Sequence, residues 1–122
     1  MKIASLWSEQ EGGLALKPEL KRCEEATLKA RLLEFLRGGG VVLQASGLRE
    51  DRLDPAAPVA VPLGYLSDGE WIWPQELAYY LEVHDVLPEA ALLEHARERD
   101  FRAAQPPPGR LAEAANLLTR GE

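Results

Sequence analysis

Hydrophobic and polar positions change their period several times along this chain, and each change marks an element. Two short apolar stretches, residues 2–7 and 14–17, flank Glu9-Gln10-Glu11-Gly12-Gly13 and read as a hairpin with a glycine tip. From Glu24 the period lengthens. Leu28, Leu32, Phe35 and Leu36 fall at i, i+4, i+7 and i+8, the stripe of an amphipathic helix, with Glu24 and Glu25 near its positive end. Gly38-Gly39-Gly40 stops that helix. Val41 to Ser46 reads as a strand and Gly47 to Pro58 as a loop carrying Arg49-Glu50-Asp51-Arg52. Val59, Val61, Leu63 and Tyr65 then alternate as a second strand, which Pro62 places at an edge or on a bulge because its nitrogen has no proton to donate.

Ser67-Asp68-Gly69-Glu70 carries hairpin turn chemistry, Gly69 tolerating the positive φ such turns need, and the chain returns as a strand to Trp73. Pro74 suits the first position of a helix whose inner face is Leu77, Tyr80, Leu81 and His84. A further helix from Pro88 buries Leu92, Leu93 and Ala96. After the stiff connector Gln105-Pro106-Pro107-Pro108-Gly109, a last one carries Leu111, Ala114, Ala115 and Leu118. Strands joined by hairpins, with helices interspersed, give an α+β fold: a small, mainly antiparallel sheet packed with about four helices. The length of 122 residues and 46% hydrophobic content fit a single domain, 1–122.

Charge changes the picture more than composition does. From Asp68 to Asp100 there are nine carboxylates against Arg97 and Arg99, a net −7, so the whole formal charge of −6 belongs to one third of the chain. An acidic protein disfavours nucleic acid and seeks basic partners. The single Cys23 closes no intramolecular disulfide, no apolar signal core precedes Ser8 and Glu9, and no run nears the roughly 20 residues of a membrane span. A cytoplasmic protein is the expectation.

Candidate chemistry is sparse. Gly38-Gly39-Gly40 follows a helix and precedes a strand, whereas a phosphate cradle needs glycines that open a helix. Asp68 and Glu70 invite an acid/base reading, but they flank a turn glycine expected in a wet loop with nothing to shift either carboxyl. His84 at a helix end and His95 on a helix flank have no partner at ligand spacing, and Cys23 lacks an activating motif. No catalytic residue, metal or cofactor is expected. Trp71 and Trp73, two apart on a strand, share a face and read as core. Tyr79 points away from Leu77 and, with Val83, makes an apolar centre among Glu76 and Glu82. The expected partner surface is therefore Asp68, Glu70, Glu76, Tyr79, Glu82, Val83 and Asp85. On that reading, lysine at Glu76 and Glu82 slows association and leaves stability unchanged.

The run Asp68-Gly69-Glu70-Trp71-Ile72-Trp73-Pro74, followed by Leu77-Ala78-Tyr79-Tyr80, resembles a DG-x-W-x-W-P-x-x-LAYY block of small bacterial proteins, some of which look like immunity proteins of polymorphic toxin systems. The likeness covers about 14 residues and implies a non-catalytic protein that blocks a cognate toxin domain by direct binding. It carries over no catalytic residue. Two other classes stand beside it: an adaptor or subunit of another complex, and a small enzyme with a site between sheet and helices.

Overall fold

The computed structural model describes residues 1–120, and among these six strands and four helices follow one another. β1 (Lys2–Ile3), β2 (Trp7–Gln10) and β3 (Gly13–Leu16) precede α1 (Ala26–Arg37). β4 (Gly40–Arg49), β5 (Val61–Ser67) and β6 (Trp71–Pro74) come next, and α2 (Glu76–His84), α3 (Ala90–Glu98) and α4 (Pro108–Thr119) complete the order. The main sheet runs β1-β6-β5-β4, antiparallel except for β1 alongside β6, while β2 and β3 form a separate hairpin. The fold is α+β with a mainly antiparallel sheet.

Several boundaries differ from the sequence pattern for local reasons. Residues 2–7 are not one hairpin arm: Lys2–Ile3 joins β6, and only Trp7–Gln10 pairs with β3. Pro74 ends β6 opposite Tyr65 instead of opening α2, because the Gln75 N–H continues the ladder to the Gly64 carbonyl at 3.0 Å and keeps the chain extended. β4 reaches Arg49, beyond the expected end, by absorbing extra residues where its register against β5 shifts between Gln44 and Leu48. Pro62 sits in the interior strand β5 but beside that shift, and β6 pairs only with Tyr65, Leu66 and Ser67, so no ladder bond is required of it there.

The core gathers Leu32, Phe35 and Leu36 of α1, Leu77, Tyr80 and Leu81 of α2, and Leu92 and Ala96 of α3 against Leu66, Trp71 and Trp73. Trp73 stacks on Phe35 with ring centres 5.2 Å apart, and its Nε1 donates to the Leu36 carbonyl at 2.8 Å, so its one polar atom is satisfied inside. Both strand tryptophans are buried, as their spacing suggested. Register sets Gly40, Ser67 and Ile72 in one row, alternating with the Leu66–Trp73 row. The Gly40 row faces α4, since a Cβ on Gly40 would come within 3.1 Å of Leu111. Helices α1 to α3 thus cover one face of the sheet and α4 covers one end of the other. Of the α4 stripe only Ala114 is fully buried.

Candidate functional site

The same device occurs twice in this molecule: a buried aspartate shapes a turn with one carboxylate oxygen and holds a histidine with the other. Asp68 follows β5, and its Oδ1 accepts the N–H groups of Glu70 and Trp71, both at 3.0 Å. Its Oδ2 lies 2.5 Å from His95 Nε2 of α3, whose ring packs between Phe35 and Trp71. Asp51 follows β4. Its Oδ1 accepts from Leu53 and Asp54, and its Oδ2 takes the Tyr79 hydroxyl at 2.8 Å and meets His84 Nε2 at 2.6 Å. Beside it the Arg52 N–H donates to the Tyr80 hydroxyl at 2.9 Å, so the loop after β4 is pinned to α2 through three side chains.

Electrostatics follow from these bonds. Burial pushes the Asp51 carboxyl up, but hydrogen bonds from His84, Tyr79 and the Leu53 amide outweigh it and hold the group below its ordinary 3.8. Tyr79 is pushed up to about 12, first by its bond to the Asp51 carboxylate and then by burial. It remains a neutral donor across the physiological range. Burial also raises Tyr80, against the opposing bond from Arg52.

The expected acidic surface divides. Asp68 is buried in the turn instead of standing in a wet loop, and Glu76 is largely buried with its Oε2 accepting from Trp7 Nε1 at 2.7 Å, so neither stands out as an exposed acidic side chain. Tyr79 is half-buried with its hydroxyl committed to Asp51, while Val83 is 51% exposed. Glu70, Glu82 and Asp85 lie on or near the surface, but each is bonded to a cation of this chain: Arg99, Arg37 and Lys29. Asp100 pairs with Arg31 at 2.6 Å. Three of these cations belong to α1, so the charge concentrated in sequence is largely neutralised in space. Sequence spacing could not reveal this, nor the aspartate–histidine pairs, whose members are 27 and 33 residues apart.

Exposed apolar surface lies elsewhere. Of the six large apolar side chains that stand exposed among the described residues, Val41, Leu43, Leu48 and Val59 belong to β4 or the approach to β5. Beyond the part covered by α4, the β4–β5 arm carries an open groove of about 290 Å³, floored by Leu43, Ala45, Leu63, Tyr65 and Pro74 with Arg49 and Glu76 among its polar lining. β4 is also the outer strand of its sheet, whereas the opposite edge is the two-residue β1, which begins with Lys2. Among the described residues no helix is long and apolar enough to cross a membrane. No family model matches the chain, and neither a curated protein nor a solved structure does.

Proposed function

We propose that the chain is a non-catalytic protein-binding module whose binding face is the open β4–β5 arm. The observation that carries this reading is the groove on that arm, whose apolar floor includes the exposed Leu43 and whose polar lining includes Arg49 and Glu76, with Leu48 and Val59 exposed on the same arm. An apolar centre with a polar margin suits a protein partner. Both aspartates are engaged in holding a turn and a histidine, which supports a non-catalytic reading of these pairs. In its specific form the proposal is that of a small inhibitor, and the partner is a basic toxin domain blocked by direct contact. Glu70, Glu82 and Asp85, each ion-paired within the chain, then contribute polar surface outside that face.

The test is co-purification with the product of the neighbouring reading frame, using wild type and the variants Leu43→Asp and Leu48→Asp. Association lost by at least about tenfold in both variants, with melting unchanged because both residues are exposed, is the expected result. Retained association would remove the arm as the binding face. A neighbour that is no toxin domain and does not bind would remove the inhibitor form and leave the adaptor or subunit form of the same module.

A further inference from the structure

We propose that Asp68, Glu70 and His95 form a binding site for a divalent transition-metal ion of the zinc class. The side chains come from the β5–β6 turn and from α3, and their donor atoms, two carboxylate oxygens and one imidazole nitrogen, lie within 4.8 Å of one another. A mixed nitrogen and oxygen set suits zinc and its neighbours, while magnesium and calcium are taken by oxygen ligands. Asp68 and His95 are buried and Glu70 is exposed, so the cluster has a protected side and an entry side.

The other aspartate–histidine pair of this molecule provides an internal contrast. Asp51 Oδ2 has two partners, His84 and the Tyr79 hydroxyl, so its acceptor capacity is well used. Asp68 Oδ2 has His95 alone, and the third member of its cluster is a second carboxylate instead of a hydrogen-bond donor. Two carboxylates brought this close repel unless positive charge accompanies them. Arg99 offsets Glu70, but only His95 faces Asp68 Oδ2. A dication bound by all three supplies positive charge where the Asp51 cluster has a hydrogen bond from a neutral phenol.

The geometry requires little movement. Bonds of about 2.0–2.2 Å place tetrahedral donors roughly 3.3 Å from one another. His95 Nε2 and Asp68 Oδ2, now 2.5 Å apart, would part by about 1 Å or less to reach that spacing. The imidazole proton then sits on Nδ1 and leaves Nε2 bare, and Glu70 turns inward from Arg99 on its own flexible stem. Asp68 needs no reorientation, because the amides of Glu70 and Trp71 already fix its other oxygen, an outer-shell arrangement that strengthens a ligand. Three protein donors leave a fourth position for water, and the bound ion ties the hairpin turn to α3.

The experiment is calorimetric titration of the whole chain with zinc chloride at neutral pH, repeated with magnesium chloride. One zinc ion per chain with a micromolar dissociation constant is expected, with magnesium binding at least about a hundredfold weaker. Glu70→Gln is expected to weaken zinc by at least about tenfold, and His95→Gln, which keeps an N–H toward Asp68 but loses the imidazole, by about a hundredfold. His84→Gln, in the other pair, should stay within about twofold of wild type. Because Glu70 is exposed, its variant decides the matter even if His95→Gln fails to fold. No zinc binding below about a millimolar, equal affinity for magnesium, or wild-type affinity in Glu70→Gln would each overturn the assignment.

Discussion

At the scale of single residues, position in the sequence misstates what a carboxylate does, and the two glutamates of α2 make the point. Glu76 and Glu82 both looked like surface charges, yet Glu76 is the buried acceptor of Trp7 Nε1 and Glu82 an exposed partner of Arg37. Glu76→Lys is expected to cost on the order of 3 kcal/mol by burying an unpaired charge and orphaning the indole N–H. Glu82→Lys should stay within about 1 kcal/mol. Urea unfolding of the two variants checks both values, and equal effects would contradict the burial of Glu76. Asp51 offers a second test through pH. Its folded-state pKa lies below the unfolded value, so the stability it contributes is present above about pH 4 and is lost as pH falls through the lowered folded value. Asp51→Asn should flatten the acid limb of a stability–pH curve below pH 4. Tyr79 works in the opposite sense at the other end: its raised value near 12 means stability kept below pH 10 and lost between 10 and 12. Ultraviolet titration should show a late phenolate step that Tyr79→Phe removes.

Elements were more legible than residues, and the reason lies in what each signal depends on. The α1 stripe is local, so Leu32, Phe35 and Leu36 were identifiable as core from spacing alone, as were Leu77, Tyr80 and Leu81. The tryptophans of β6 likewise declared themselves by size and alternation. What spacing could not supply was pairing across distance. That Ile3 lies beside Ile72, that His95 meets Asp68, and that α1 supplies the cations for α2 and the end of α3 are facts of topology. The exposed arm depends on topology for the same reason, since α4 covers only part of one sheet face. Within that arm Gly64 is the tightest point, with φ at +122° and room for no Cβ, which would lie 2.8 Å from the Leu43 carbonyl oxygen. Gly64→Ala should cost about 2–3 kcal/mol, because relief requires β4 and β5 to part. A melting temperature equal to wild type would mean the arm is not closely paired there.

At the scale of the whole molecule, the charge that is lopsided in sequence is folded back on itself through α1. Lys29, Arg31 and Arg37 meet Asp85, Asp100 and Glu82, so little bare acidic field remains on that side to steer a partner. Binding through the β4–β5 arm should therefore change by less than about tenfold between 50 and 500 mM salt, whereas a bare acidic face would lose far more. Titrating the partner at several salt concentrations distinguishes the two. A different consequence comes from β1. Lys2 and Ile3 lie parallel to β6, Ala4 donates to the Ile72 carbonyl at 2.8 Å, and Ala4 and Leu6 are buried. During synthesis Lys2 and Ile3 therefore have no seat until Trp71 and Ile72, some seventy residues later, have emerged. β1 is thus made before the strand it pairs with and can dock only after that strand exists.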